Sequence, residues 1–336
     1  MKYYLLAILI MVSSCQVIPP EPLVVAAKPI KPLVIAHRGA PGYLPEHTLE
    51  SVTLAYAQGA DFIEQDLVVT KDSKIVVLHD IHLETVTNVE QQFPSRKRQD
   101  GRYYALDFTL AELKTLTVHE RQDAQGKQVF ANRYQGTGTF RIATFEEQIE
   151  LIQQLNRQLN KSTGFYPEIK SPAWHKEQGV DISQLVVAVL RKHGLDDADK
   201  DIFVQCFDFA ETQRLRNDLG VKVKLIQLIG ENDWLESPTN YNVLKTPAGL
   251  EAIAKVAQGI GPWVPQLINL ETMLPTAYVS QAHTAGLQVH PYTFRKDALP
   301  DNVDTQQTLQ LLFENLKVDG LFTDFPDTVV NYFQHK

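Results

Sequence analysis

Cysteine is nearly absent from this chain: Cys15 and Cys206 are the two among 336 residues. A framework of several disulfides is thereby excluded, and with it the small secreted scaffolds that depend on one. Basic charge is also short. Lys and Arg number 32 against 40 Asp and Glu, a formal net charge of −8, with a pI near 5.7. A broad grip on a nucleic-acid backbone needs a basic face, so no nucleic-acid partner is expected. The run Arg96, Lys97, Arg98 reads as a solvated loop rather than a phosphate patch. No apolar run reaches the roughly 18 residues that a membrane span requires, and there is no fixed-period repeat and no low-complexity segment. What remains is ordinary globular composition, 44% hydrophobic and 21% charged. Length alone would allow about two domains, but barrels of alternating strand and helix reach this size as one.

The start, "MKYYLLAILIMVSSC", has a short cationic head, an apolar run near ten residues and then small residues. It is too short to span a bilayer and reads as a secretory signal over residues 1–14. "VSSC" resembles the lipobox of bacterial lipoproteins, in which the cysteine is acylated and becomes the mature N-terminus; a plain signal peptide cut nearby is the competing reading. Acylation of Cys15 would make the membrane a partner through a lipid anchor. Gln16 resembles the residue that sends such proteins to the outer membrane. The expected location is therefore the bacterial cell envelope, anchored in the outer membrane and facing the periplasm or the cell surface. Five prolines fall within residues 16–32, so residues 15–32 read as a tether. With Cys15 acylated, Cys206 has no partner for an intrachain disulfide and reads as a buried small hydrophobe.

From residue 33 to 336 the pattern is short apolar run, amphipathic run, glycine. "PLVIAH" is a strand; residues 48–58 form a helix with Leu49, Val52, Ala55 and Tyr56 on one face, closed by Gly59. Thr144 with Glu147 makes a capping box for the helix carrying Phe145, Ile149 and Ile152. Strands regularly separated by helices imply a parallel sheet. "KIVVLHD" breaks the rhythm. It follows "DLVVT" after three residues, too few for a parallel crossover, so the pair is an antiparallel hairpin. The remaining strands pass through His37, Glu64, Glu168, Gln205, Gln227, Ile260, His290 and Phe322, the eight that close a (β/α)₈ TIM barrel. A doubly wound open sheet is the alternative. Residues 81–143 form a long polar insertion after the second barrel strand, with one helical stretch, "DFTLAELKTL"; its place on the site side fits a lid or specificity cap.

Polar residues cluster at the C-terminal strand ends, where a barrel carries its site. Glu64 and Asp66, two apart on a strand, share a face, and Glu168 ends another strand. Two carboxylates about 4 Å apart repel by roughly 4 kcal/mol at an effective dielectric of 20. A cation resolves this economically, and all-oxygen ligands select a hard ion, Ca²⁺ or Mg²⁺, with Ca²⁺ the better suited to added ligands from a polyol. Lys170 shares the face of Glu168, either as its salt-bridge partner or as a phosphate contact. Arg38 offers a planar fork for phosphate oxygens. His37 and His79, one neutral and one protonated, can serve as a base and an acid. Together these describe phosphoryl transfer on a diester.

The segments "HRGAPGYLPEHTLES", "EQDLVVTKDSKIVVLHD", "YPEIK", "VQCFD", "HPYTFRKD" and "GLFTDFPD" together resemble the glycerophosphodiester phosphodiesterase family. The match runs from about residue 33 to 333 and is nearest the bacterial periplasmic branch, which has "PEHT" with His47 where much of the family has asparagine. The resemblance implies a calcium-dependent barrel enzyme that splits glycerophosphodiesters such as glycerophosphocholine and glycerophosphoethanolamine into sn-glycerol 3-phosphate and an alcohol. Carried over by position, Glu64, Asp66 and Glu168 would be the cation ligands, His37 the base and His79 the acid. Arg38 and Lys170 would hold the phosphate, with Glu46 and Gln205 standing behind them as supports. The resemblance also implies attack by the glycerol 2-hydroxyl and a cyclic phosphate that water opens.

Two other readings stay open at this stage. A phospholipase C-like or sphingomyelinase-like barrel would cleave intact lipid, and a non-catalytic lipoprotein would bind phosphodiesters or act as an adhesin. Turnover of diacylated lipid marks the first, and full biological effect without His37 and His79 marks the second. A homodimer is left open as well.

Overall fold

Alternation with a period of two along eight parallel strands decides which side chains of the barrel point inward and which outward. The computed structural model describes residues 31–334 except 270, 271 and 273. The expected signal segment, Cys15 and all but the last residues of the tether lie outside the described residues. The strands are β1 (Leu33–Ala36), β2 (Phe62–Val69), β3 (Ile75–Val77), β4 (Gly164–Ile169), β5 (Phe203–Cys206), β6 (Lys224–Ile229) and β7 (Gly259–Pro262). They are followed by the short pair β8 (Ile268–Asn269) and β9 (Leu274–Pro275), then β10 (Gln288–Val289) and β11 (Gly320–Thr323).

The sheet runs in the order β10-β7-β6-β5-β4-β2-β1-β11, with β3 attached to β2. Between β10 and β11 the ladder is replaced by separate bonds. Asp319 N donates to Val289 O (2.9 Å), Phe322 N to Pro291 O (3.0 Å) and Phe294 N to Phe322 O (2.8 Å). The circle is thus nearly closed, an eight-stranded barrel with helices outside, and the open-sheet alternative is set aside. All eight expected barrel strands are present. The β8–β9 hairpin, Ile268↔Pro275 and Asn269↔Leu274, is an addition that two-residue strands do not announce in sequence.

Outward residues such as Val34, Ile63, Phe165 and Leu225 pack on helix residues including Val52, Ile149, Val186 and Ile253 in the outer core. Inward residues Ile35, Phe62, Tyr166, Phe203, Ile226 and Phe322 fill the barrel itself. Each fully buried side chain of this size contributes about 1.5–3 kcal/mol, so the filled lumen is a floor rather than a channel. Where β7 meets β10 the floor leaves no space for a side chain: a Cβ on Gly259 would lie 2.7 Å from the carbonyl oxygen of Gln288.

The expected hairpin is present. Leu67, Val68 and Val69 of β2 pair antiparallel with Val77, Val76 and Ile75 of β3, and Leu78 N donates to Asp66 O at 2.9 Å, which returns the chain to the barrel mouth at His79. The insertion is less polar than its sequence reads. Leu83, Val86, Phe108, Leu113, Leu116, Phe140 and neighbours form a separate apolar core. The helix expected over residues 107–116 is a single turn, Leu110–Leu113, capped by Thr109 and Glu112. β-Branched Thr115, Thr117 and Val118 follow it and favour extended backbone, and Val118 bridges to Phe140. Arg96 and Arg98 turn to Glu112 (2.8 Å) and Asp107 (2.7 Å). Cys206 is free and buried. Among the described residues no helix is long and apolar enough to cross a membrane.

One titratable side chain stands in the barrel floor. His290 is fully buried with Nδ1 2.8 Å from the Tyr166 hydroxyl, and burial pushes its pKa down from 6.5 to about 4. A depressed histidine contributes stability that is complete above about 6.5 and lost as pH falls towards 4. Between pH 7.5 and pH 5 the loss from this group is about 2 kcal/mol. Replacing His290→Gln should shrink the difference in urea-unfolding free energy between those pH values by that amount. An unchanged difference would place the acid sensitivity elsewhere.

Candidate active site

The inward phase that fills the floor with apolar side chains continues, one step higher on each strand, into charge. Ile35 is followed by His37, Phe62 by Glu64 and Asp66, Tyr166 by Glu168, Phe203 by Gln205, and Phe322 by Asp324; residues two apart on a strand share a face. His37, Arg38, Glu64, Asp66, His79, Glu168, Lys170 and Gln205 line one cavity of about 290 Å³. The opposite wall is Phe207, Trp234, Trp263 and Tyr292. Of the remaining expected site residues, Glu46 stands behind this lining and Cys15 lies outside the described residues.

His37 Nδ1 lies 2.5 Å from Asp324 Oδ1, a contact between neighbouring strands β1 and β11. Burial first, and then Arg38, push the His37 pKa down to about 3 against the opposing pull of Asp324. The ring is neutral at pH 7, with Nε2 as the nitrogen left to the cavity. Burial alone would raise Asp324, but Arg295, His37 and Arg133 outweigh it and hold the carboxylate ionised. His79 is arranged in parallel: its Nδ1 lies 2.6 Å from Asp80 Oδ1. Burial, Arg38 and Lys170 lower the pKa of His79, with Asp80 and Asp66 opposing.

Arg38 directly follows His37 and in an extended strand would point away from the lumen. Its backbone is instead left-handed, with φ 58°. Its amide donates to Glu64 Oε2 at 2.7 Å, and Nη1 reaches both Glu46 oxygens at 3.1 and 3.2 Å. Nε stands 3.3 Å from Asp66 Oδ2. Gly39, at φ 90°, lets this loop fold onto the next helix: a Cβ there would be 2.6 Å from Ser51 Oγ and 2.9 Å from the Ser51 carbonyl carbon. Thr48 caps that helix through Ser51 N. His47 returns to the site, with Nε2 2.8 Å from Asp66 Oδ2.

The structure brings Glu64, Asp66 and Glu168 to one cavity, but not into one tight cluster. Within this site, the set whose ligand atoms lie within 4.8 Å of one another is His47, Glu64 and Asp66; the other such set among the described residues, Glu146, Glu150 and His193, is less buried and outside the cavity lining. Glu168 is taken up by Lys170 (Oε1–Nζ 2.7 Å), and Lys170 also lies 3.3 Å from Glu236. The salt bridge open to Lys170 is thus present, and Lys170 also lines the cavity. Burial, then Asp66 and Glu168, raise the pKa of Glu64 well above the carboxylate range, although Arg38 opposes this. Burial pushes Glu168 up to about 8 against Lys170. Asp66 Oδ1 and Gln205 Oε1 are buried with no protein partner. Crowded carboxylates and unsatisfied oxygens are the donor set of a hard cation, so the residues present fit one.

The partners of the two histidines have no role assigned from sequence. Asp324 is one of the polar residues at the strand ends and Asp80 adjoins His79, so position marks both. Arg121 and Arg133 lie in the insertion, where no periodicity marks them. Arg121 donates from Nη1 to Asp80 (2.7 Å), and from Nη2 and Nε to Glu46 (2.6 and 3.1 Å). Arg133 donates from Nη2 to Asp324 Oδ2 at 2.7 Å, and Arg295 Nε reaches the same oxygen at 2.8 Å.

Two imidazoles on carboxylates, with a guanidinium and a cation-type carboxylate cluster at the mouth of a (β/α)₈ barrel, define the class: a hydrolase with a site for a phosphate ester. The chain belongs to the glycerophosphoryl diester phosphodiesterase family, whose model matches residues 37–328, and its enzymatic activity is that of a glycerophosphodiester phosphodiesterase. It is 42% identical over 326 residues to a glycerophosphodiester phosphodiesterase of Haemophilus influenzae, covering 90% of both chains. It is 36% identical to one of Treponema pallidum, covering 89% of this chain and 91% of that one. In fold it is similar to a phosphodiesterase of Oleispira antarctica in complex with the product sn-glycerol-3-phosphate. The TM-score there is 0.61 at 22% identity, with 90% and 97% of the two chains covered. A Silicibacter pomeroyi structure has TM-score 0.68 at 22% identity, covering 91% and 94%.

Gly39→Ala should test the loop that holds His37 and Arg38. A side chain at φ 90° against the Ser51 backbone costs about 1–3 kcal/mol. The urea midpoint should fall by the matching amount, with a loss of activity larger than that stability loss explains. A midpoint and activity equal to the parent would mean that the loop needs no glycine there.

Proposed function

We propose that this enzyme hydrolyses glycerophosphodiesters such as glycerophosphocholine and glycerophosphoethanolamine to sn-glycerol 3-phosphate and the free alcohol. One observation carries the reading: two imidazoles, each bonded through Nδ1 to its own carboxylate, stand with Arg38 on a single cavity. His37, held neutral, is the base that takes the proton of the glycerol 2-hydroxyl as its oxygen attacks phosphorus. The bond from phosphorus to the alcohol oxygen breaks, and His79 delivers a proton to that oxygen. Water then opens the cyclic phosphate with the two roles exchanged. Acid and base contributions of this kind are worth about 10²–10⁴-fold each.

Burial first, and then Arg38 and Lys170, depress His79 in the free enzyme, which leaves an acid unloaded. A phosphodiester anion on Arg38 offsets that field and raises His79 towards its protonated form. The acid is thus charged by the arrival of the substrate. Glu64 and Asp66, with Glu168 or His47, would hold a divalent cation, Ca²⁺ in preference to Mg²⁺ because of its added coordination capacity. Such an ion supplies Lewis acidity and orientation for the glycerol oxygens. His47 bonds Asp66 and fixes its carboxylate, and Gln205 lies 3.5 Å from Glu64. Lipidation at Cys15 and placement in the bacterial envelope complete the reading, supported by the "VSSC" motif and the proline-rich tether.

Release of sn-glycerol 3-phosphate from glycerophosphocholine by the full chain is the test. Activity should fall on chelation and return with Ca²⁺, and His37→Ala and His79→Ala should each lower kcat by about 10²–10⁴-fold. Failure to release glycerol 3-phosphate under any metal condition would overturn the reading. A separate expectation concerns Glu64, whose burial beside Asp66 makes its charge costly without a cation. Glu64→Gln should melt higher than the parent in chelator, and should lose the upward shift that added Ca²⁺ gives the parent. A parent that shows no shift with Ca²⁺ would remove the cation from this cluster.

A further inference from the structure

Two arginines of the insertion reach across to the barrel, and each ends on a carboxylate that holds one of the histidines. Arg121 bonds Asp80, which bonds His79; Arg133 bonds Asp324, which bonds His37. Neither is a surface ion pair. The Arg133 side chain is 2% exposed and that of Asp324 1%, while Arg121 is 16% exposed. Both guanidiniums are also tied elsewhere, which fixes their forks. Arg133 bonds both oxygens of Asp297 at 2.9 and 3.1 Å and lies with its guanidinium carbon 3.6 Å from the centre of the Phe130 ring. Arg121 bonds both oxygens of Glu46, the carboxylate that also receives Arg38. Charge-assisted bonds of this planar kind are directional as well as strong.

We infer that the insertion is part of the acid–base machinery, with Arg121 the positioning residue for His79 and Arg133 the positioning residue for His37. Neither arginine touches the reacting atoms. Each fixes the carboxylate that fixes an imidazole, and Arg121 in addition fixes Glu46 behind the phosphate-directed Arg38. The two are therefore not equivalent. Loss of Arg133 disturbs proton abstraction alone, whereas loss of Arg121 disturbs both proton delivery and the seat of Arg38. The inference rests on the roles proposed above for the two histidines.

Leaving-group chemistry separates these roles from simple structural support. A choline alkoxide must be protonated as its bond to phosphorus breaks; a 4-nitrophenolate leaves with its electron pair and needs no proton. The experiment measures kcat and KM for the first step alone, from single turnovers with the full-length enzyme in excess that follow release of choline from glycerophosphocholine and of 4-nitrophenol from glycerol 3-(4-nitrophenyl phosphate), before the cyclic phosphate common to both is opened. Arg121→Ala should lower kcat on glycerophosphocholine by about 10²-fold, with a raised KM, and on the nitrophenyl ester by less than about 5-fold. Arg133→Ala should lower kcat by about 10²-fold on both substrates, with KM close to the parent. If Arg121→Ala fails to fold, Arg121→Lys and Asp80→Asn take its place, since one ammonium cannot bridge Glu46 and Asp80; each should show the same contrast at about 10-fold or more.

Equal losses by the Arg121 variant on the two substrates, with His79→Ala relieved by the nitrophenyl ester, would overturn the assignment of Arg121. If His79→Ala is itself not relieved, His79 is not the acid, and the assignment falls together with that reading. Arg133→Ala with kcat within about 3-fold of the parent would overturn the second half.

Discussion

An excess of carboxylates in a space that excludes water is the constraint on which the rest of this site depends. Glu46, Glu64, Asp66, Asp80, Glu168, Glu236, Asp297 and Asp324 face Arg38, Arg121, Arg133, Lys170 and Arg295, so the acids outnumber the bases. The pairs Arg133–Asp324, Lys170–Glu168 and Arg121–Glu46 are short and shielded, and burial of such pairs is tolerable only when further bonds satisfy them. The excess collects at Glu64 and Asp66, where the one available guanidinium is shared with Glu46. A divalent cation there would reduce the imbalance and would leave the Arg38 guanidinium less committed to the two carboxylates. Without that ion the same residues raise the proton affinity of Glu64 instead. The choice between a proton and a metal is thus set by the number of charges, before any question of geometry.

The same excess explains why the two histidines, though both bonded to carboxylates, are both held below the ordinary imidazole pKa. His37 sits beneath Arg38 in full burial, and its pairing with Asp324 is diluted because Arg133 and Arg295 already neutralise that carboxylate. An Asp that served His37 alone would raise its pKa; an Asp shared among three partners orients the ring without charging it. Asp80 is shared with Arg121 in the same manner. At both rings the carboxylate orients the imidazole while its own charge is shared with an arginine.

How much of this could be read from sequence follows from the range of each interaction. The strands were legible because a period of two and a buried register repeat along eight short apolar runs, and the strand ends then placed His37, Glu64, Asp66, Glu168 and Gln205 on one mouth. His79 was legible because a three-residue link leaves a hairpin as the only geometry, and Leu78 N on Asp66 O closes it. The Lys170–Glu168 pair was legible from their spacing, whereas the second contact of Lys170, Glu236, lies 66 residues away on a loop without periodicity. Arg121 and Arg133 were invisible for the same reason, at separations of 75 residues from Glu46 and 191 from Asp324. Arg38 is the intermediate case. Its chemistry was evident, but alternation alone would have turned it outward, and a left-handed backbone that Gly39 makes possible turns it in.

The insertion reads in sequence as a lid, and its place above the mouth fits one. Its contacts argue for a fixed wall. It has an apolar core of its own, and its two arginines end on Asp80, Glu46, Asp324 and Asp297. Lifting it would part Arg121 and Arg133 from Asp80, Glu46, Asp324 and Asp297, and would leave both imidazoles on carboxylates that no longer have these partners. The aromatic part of the mouth is tied as well. Trp234 and Trp263 stand 41% and 37% exposed, edge to face at 5.2 Å, on the loops after β6 and β7, and the first of these loops sends Glu236 to the buried Lys170. Ion pairs thus reach both parts of the mouth, but those of the insertion end on the two carboxylates that orient the imidazoles, so the positions of both rings depend on where the insertion sits.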